Sequence, residues 1–412
     1  MVVITSSPKN RASIAHSFRQ PVLMLNMIAL WINLAFPKAG IYLGSIPINI
    51  GYLMLGLGAF SVVCAILLSQ YSLTRPEYFA MPLLLGSAFF QLLTVVLQGS
   101  STDLGMLIGH FTSLAIVPPL VLLSAGYVLS HTSRANVFRL MLWALVIIIV
   151  FGVINFVFLN VFKQMIGIPF LTFTGKDFDI STKYIDRGGV IKLISTYNNG
   201  NIFGVNVVMW SGLVLYGSPK SRRLISKFFM TTLNLLVKAA LLLTLSRTVW
   251  ITMIFSEVFL RFFVFRRLNH ILSLFFVLGL LLFLVFGAAS LFVKDPFAFI
   301  FDANFGARRS QLDMSWSFWP NQAFSGTVEI VYASMLTNFG AVGLGLFFLT
   351  WAWPALIPPI NFEGRLVQMG LLAYLLAMGA DGAFIYVPTQ ATYWFLVAFA
   401  FNRFRDKPEM VT

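Results

Sequence analysis

The sequence predicts an all-α polytopic membrane protein, and three observations carry that prediction. Of its 412 residues, 58% are hydrophobic and only 10% are charged, whereas about a quarter of the residues of a soluble domain are charged. The mean hydropathy is +0.86. Apolar runs follow one another along the chain, and many reach the roughly 20 residues that a helix needs to cross a bilayer. A single integral membrane domain over 1–412 accommodates them, with no internal repeat and no low-complexity tract.

About twelve spans are expected, starting near Val22, Ile48, Met81, Leu104, Phe138, Ile202, Phe228, Trp250, Leu272, Met335, Val367 and Thr389. The leading MVVITSSPKNRASIAHSFRQ is polar and basic without a cleavable signal pattern, so the first span is expected to remain as a membrane helix. Cys64 is the single cysteine and lies in an apolar run, which excludes disulfides and cysteine metal clusters.

The net charge is +14. In a soluble protein such an excess suggests nucleic acid. In a membrane protein the first explanation is that cytoplasmic loops collect Lys and Arg, so no nucleic-acid partner is expected. Lys9, Arg11 and Arg19 precede the first span, Arg75 follows the second, and Arg134 and Arg139 follow the fourth. SPKSRRLISK follows the sixth span, RFFVFRRLNH the eighth, and NRFRDKPE lies after the last. If the spans alternate, all of these share one face, which the basic bias makes cytoplasmic together with both termini.

The opposite face carries two long connections, 162–201 and 294–333. Connections of that length are usually functional. Each mixes Phe, Ile and Trp with charges, so each is expected to lie against the membrane surface as short helices and lids. Arg187 in the first loop and Arg308 and Arg309 in the second break the basic-inside trend. So does Arg247 in TLSRTVWI, the tight turn between the seventh and eighth spans. Anion binding explains arginines there, since the guanidinium matches phosphate oxygens bidentately. Several arginines around one membrane-surface site suit a lipid diphosphate. The competing explanation is nonspecific headgroup contact, or pairing with Asp177, Asp179, Asp186 and Asp302. Lys183 and Lys192 accompany Arg187 in the first loop, the latter two in DRGGVIKLISTYNNGN.

Glu329, alone in SGTVEIVYASML where the tenth span begins, is a candidate general base or an ion-pair partner for a loop arginine. Lys238 and Glu257 lie at similar depth on adjacent antiparallel helices and are expected to form a structural ion pair, since burying either charge alone is costly. Asp381 and His110, in the outer halves of their spans, are candidates for lining the cavity or for hydrogen-bonded packing. There is no P-loop, no HExxH and no external histidine, so neither a catalytic metal nor another cofactor is expected.

SRTVW resembles the SRG-type motif of the O-antigen polymerase and ligase superfamily, and STYNNGNIFGVNVVM resembles its asparagine-rich segment after the first long loop. ARRSQLDMSWSFW followed by EIVYASMLTNFGAVGLGLF resembles its second-loop pattern. The similarity covers roughly 187–348, and the motifs keep the family's order. The resemblance implies a metal-independent membrane glycosyltransferase of GT-C-like architecture in the bacterial inner membrane. Its active site would face the periplasm and act on undecaprenyl-diphosphate-linked glycans. It implies catalytic roles for Glu329, Arg247, Arg308 and Arg309, and substrate contacts for Arg187, Lys192, Asn198, Asn201, Ser246 and Tyr332. Related ligases typically carry a histidine where Glu329 stands, which favours a polymerase of repeat units over a ligase that attaches glycan to lipid A–core. Membrane lipids and a chain-length regulator protein are the other expected partners. The alternative of a different class is a lipid-linked glycan flippase, for which the sequence offers no clear inverted repeat or broken span.

Overall fold

The structure is a computed structural model that describes residues 8–43, 46–69, 71–73, 75–98, 104–172, 186–187, 190–217, 227–266, 279, 311, 317–320, 323–326, 328–359 and 361–401. It is mostly helical. Five helices are long and apolar enough to cross a membrane: Ile50–Leu67, Glu77–Leu97, Leu104–His131, Arg134–Val161 and Val331–Leu356. The span expected near Leu272 lies outside the described residues, as do most of the second long loop and the middle of the first.

In chain order, α1 (Pro8–Ala35) leads through a small antiparallel hairpin, β1 (Gly40–Leu43) and β2 (Ile46–Asn49), into α2 (Ile50–Leu67). Then come α3 (Arg75–Leu97) and α4 (Leu104–Phe111), the latter continuing through a π-helical turn, Thr112–Ile116, into α5 (Val117–His131). The long α6 (Arg134–Val161) is followed by a second hairpin, β3 (Asp186–Arg187) and β4 (Val190–Ile191), and by α7 (Gly200–Tyr216). The remaining helices are α8 (Lys227–Leu243), α9 (Arg247–Phe259), α10 (Val331–Leu356), α11 (Phe362–Met378) and α12 (Val387–Phe401).

Short polar residues start several of these helices. A helix leaves its first N–H groups without intrahelical partners, and an Asn or Ser side chain just before it can accept from them. Asn49 accepts from Tyr52 N–H ahead of α2, Ser133 from Asn136 ahead of α6, and Asn361 from Gly364 ahead of α11. Asn199 accepts from Asn201 and Ile202 ahead of α7, and Ser246 from Val249 ahead of α9.

The helices pack on small residues and on buried amides. Glycines let backbones approach closely where lipid gives no hydrophobic drive to pair helices. A side chain at Gly204 would run into Val249 of α9, and one at Gly370 into the Met209 backbone of α7. The Asn33 amide donates to Gly51 O at 3.0 Å and joins α1 to α2. The Asn206 amide donates to Thr389 Oγ1 at 2.9 Å and joins α7 to α12.

One end of the bundle, here called basal, is fixed by contacts between helix termini. Arg134 at the start of α6 pairs with Glu363 at the start of α11. Phe265, after the π-helical extension of α9, meets Tyr216 at the end of α7 at 5.6 Å between ring centroids and Phe362 at 6.0 Å. Arg134, Arg139, Lys227, Arg261, Arg266 and Arg365 all belong to this end.

The opposite end is not level. From Ile191 the chain does not lie on the surface but descends along α6, contrary to the expected surface loop. Asn160, near the α6 C-terminus, holds Ile191 at the top by accepting from its N–H at 2.8 Å and donating to its carbonyl at 2.9 Å. Gly152 leaves room for Leu193 and Ser195 on the way down. At the bottom Ser195 Oγ donates to Ile148 O at 2.6 Å, and Tyr197 Oη donates to Leu34 O at 3.1 Å. Ile148 lies about 20 Å short of the α6 C-terminus at 1.5 Å per residue. The turn into α7 is therefore sunk within the apolar length of α6. Irregular backbone survives at such depth only where protein partners satisfy it or where it lines a cavity. Here Leu193 N–H donates to Leu243 O at 2.8 Å, which brings the turn between α8 and α9 to the same sunken level.

Helix α10 is broken. Gly340 has φ 67°, and the next two N–H groups donate outside the helix, Ala341 to Ser317 O at 3.0 Å and Val342 to Phe318 O at 3.4 Å. No proline in NFGAVG marks this break. The carbonyls of 317–318 fill it, so it is a docking point for the second long loop.

Candidate active site

The recess left above the sunken turns gathers most of the sequence-predicted site residues that the structure describes. Its floor is the start of α7. Asn199 caps the helix, and Asn198 before it holds a left-handed conformation at φ 56°. Lys192 is buried at 4% exposure. A Cβ at Gly200 would sit 3.4 Å from the Lys192 stem, 3.4 Å from Thr244 O and 2.6 Å from Leu193 O. The asparagine-rich segment and the TLSRT turn therefore touch, as one site requires.

In that turn Leu245 is left-handed at φ 48°, Ser246 serves as the cap, and Arg247 is the first residue of α9, half-buried. A bulky residue at positive φ is strained, and strain of about 1–3 kcal/mol persists only where the surroundings fix it. Trp250 helps to fix it by donating Nε1–H to Leu242 O at 3.1 Å across the turn.

The second wall is built by α10, α11 and α12. Glu329, exposed and just ahead of α10, accepts through its backbone carbonyl from Gly382 N–H at 3.2 Å. Its neighbours are anchored by α10 itself. Asn338 Nδ2 donates to Gly326 O at 2.8 Å, and Asn338 Oδ1 accepts from Ser325 N–H at 2.9 Å. The Ile330 N–H reaches Gln311 Oε1 at 3.3 Å. Asp381, 7% exposed, accepts a hydrogen bond from the Asn201 amide in the first turn of α7. That bond joins the two walls. Ala383, two residues on, is left-handed at φ 46°.

Tyr386 feels the charges of both acids. Burial raises its phenol above the usual tyrosine range, and the charges of Asp381 and Glu329 push in the same direction. The Lys38 ammonium lies 5.8 Å from the Tyr386 ring centroid, within cation–π reach. A chain of contacts thus runs from Lys38 through Tyr386 to Asp381 and Glu329, from Asp381 through Asn201 to the start of α7, and from Gly200 there to the Lys192 stem and Thr244. Asn201, Arg247, Tyr332 and Tyr386 lie in or just ahead of the first turns of α7, α9, α10 and α12. A helix N-terminus carries partial positive charge, which favours an anion.

The remaining expected residues fall as follows. Tyr332, in the first turn of α10, donates its hydroxyl to Leu375 O and stacks on Phe348 at 4.8 Å. Arg187 lies on β3, in the hairpin at the head of the descent, and its side chain is outside the described residues. Arg308 and Arg309 are outside them altogether. His110 is enclosed, with Nε2 2.7 Å from Gln91 Oε1 and rings of Phe111, Phe324, Phe339 and Phe384 around it. The Lys238–Glu257 ion pair expected from the sequence is present at 3.3 Å, with Arg261 as a second cation on Glu257. Lys38 and Tyr386 were not singled out from the sequence.

No family model, no curated protein and no solved structure matches the chain.

Proposed function

We propose that the protein is a glycosyltransferase that polymerises lipid-diphosphate-linked oligosaccharide repeat units into a surface polysaccharide. In this reading it has about twelve spans, the shorter helices included, in a GT-C-like arrangement. Its recess faces the periplasm of a bacterial inner membrane. The donor is a growing chain on undecaprenyl diphosphate, and the acceptor is a single repeat unit on the same lipid.

One observation carries the reading: segments far apart in sequence converge on one sunken, anion-favouring recess that also holds two carboxylates. A site sunk beside the apolar length of α6 suits a substrate whose diphosphate is tethered to a lipid tail. An acceptor hydroxyl attacks the anomeric carbon of the donor, the bond from that carbon to the diphosphate oxygen breaks, and Glu329 takes the hydroxyl proton. Arg247 and Lys192, with Arg187, Arg308 and Arg309, stabilise the negative charge that develops on the departing diphosphate. Asn198, Asn201, Ser246 and Tyr332 orient the sugars. Guanidinium and ammonium groups supply the positive charge that a metal supplies in other transferases.

The surface glycan of a deletion strain tests the reading. Core carrying one repeat unit supports a polymerase. Finished polymer left on the carrier lipid supports the ligase reading, and repeat units trapped on the cytoplasmic side support a flippase.

A further inference from the structure

Outside the recess, a second feature combines apolar shape with an uncommitted charge. A groove of about 500 Å³ runs between α1 and α6, lined by Met27, Trp31, Arg139, Leu140, Trp143 and Ile147, with Asn136 at its mouth. It opens on the outside of the bundle, and Trp143 is 57% exposed. From Arg139 to Ile147 it extends about 12 Å along α6. Its polar end is at the basal rim and its apolar end points toward the middle of the bundle.

Arg139 is exposed and makes no hydrogen bond or ion pair among the described residues, and neither does the Asn136 side chain. The described carboxylates at the basal end are committed elsewhere. Glu363 is held by Arg134, Glu257 by Lys238 and Arg261, and Glu77 by the Tyr71 hydroxyl at 3.0 Å. Asn136 and Arg139 lie in the first turns of α6, where the helix dipole adds positive character.

We propose that this groove binds an anionic phospholipid of the basal leaflet, with the phosphate against Arg139 and one acyl chain along Leu140, Trp143 and Ile147. Charge complementarity selects the headgroup, and the order of the lining matches a lipid that runs from the interface toward the bilayer centre. Basic pockets between spans recognise anionic headgroups in this way. The proposal does not depend on the reaction assigned to the recess.

The test uses the full chain in nanodiscs of equal phosphatidylglycerol and phosphatidylethanolamine with matched acyl chains. Native mass spectrometry then counts the lipids retained on release. The wild type should retain phosphatidylglycerol preferentially, and Arg139→Gln should lower that preference about fivefold, the effect of one cation near an anionic headgroup. Equal retention of both lipids by the wild type, or an unchanged preference in Arg139→Gln, overturns the proposal. A phosphatidylglycerol with a photoactivatable chain gives a reading on the wild type alone. Adducts on peptides holding Met27 to Trp31 or Leu140 to Ile147 support the site, and adducts confined to other peptides overturn it.

Discussion

Removing Glu257 should harm the protein more than removing Lys238, although the two form one ion pair. The reason is the asymmetry of the cluster. Glu257 is the single described carboxylate between two cations, Lys238 at 3.3 Å and Arg261 one turn along α9. The Lys238 and Glu257 side chains are 7% and 11% exposed. Lys238→Ala leaves Glu257 with Arg261 and costs the charge-assisted bond, about 1.5–3 kcal/mol. Glu257→Ala strands Lys238 at membrane depth with Arg261 as a like-charged neighbour, and breaking a buried pair in that manner costs about 3–5 kcal/mol. In the double variant only Arg261 is left without its carboxylate, and it lies near the basal rim where its long side chain can reach water. The double loss should therefore fall short of the sum of the single losses by more than the ~0.5 kcal/mol that independent sites show. Thermal or denaturant unfolding of the purified variants in one detergent, monitored by tryptophan fluorescence, measures all the terms. Equal single losses, or a double loss equal to their sum, would refute the reasoning.

Other consequences are local. Arg247→Lys keeps the charge and loses the planar fork, so surface polymer should be lost at normal protein level; polymer of normal length in that strain counts against diphosphate binding at the turn. Gly340→Ala forces a side chain to a φ of 67° with its Cβ 2.7 Å from Phe318 O, and should lower the unfolding temperature while speeding proteolysis of 317–326; an unchanged protein sinks the docked-loop account. Asn201→Asp sets a second carboxylate against buried Asp381 and should destabilise more at pH 8 than Asn201→Ala, an order that unfolding curves at that pH will verify or reverse. A cysteine at exposed Ser325 should react with a membrane-impermeant thiol reagent added from the periplasmic side; labelling only from the cytoplasmic side inverts the topology.

The sequence displayed the helices well because apolar length and caps are local properties. Leu104 opens α4 as expected, and Asn199 and Ser246 stand where the helices they cap begin. Heights of helix ends are different, because hydropathy registers that a helix crosses and not where its terminus stops relative to a neighbour. The descent of 191–199 is fixed by Asn160, Gly152 and Ile148 O, all on α6 and distant in sequence. Lys192 therefore read as a surface-loop residue and is buried. The break at Gly340 depends on carbonyls donated by 317–318, and NFGAVG contains no proline to announce it. The Lys238–Glu257 pair was legible because helical rise alone sets its depth. The link from Asn201 to Asp381 was not, since it joins α7 to the turn ahead of α12 through tertiary packing.

The most direct test of the account uses purified protein, a synthetic repeat unit on a prenyl diphosphate, and the Glu329→Gln variant. Glutamine keeps the shape and hydrogen bonding of the side chain but cannot take the acceptor proton. The wild type should join repeat units. Glu329→Gln should bind the substrate and turn over at less than about a tenth of the wild-type rate, since general base catalysis contributes about 10²–10⁴-fold. Elongation by Glu329→Gln above that level contradicts the role assigned to Glu329, and a folded wild type that binds the substrate without joining units contradicts the polymerase itself.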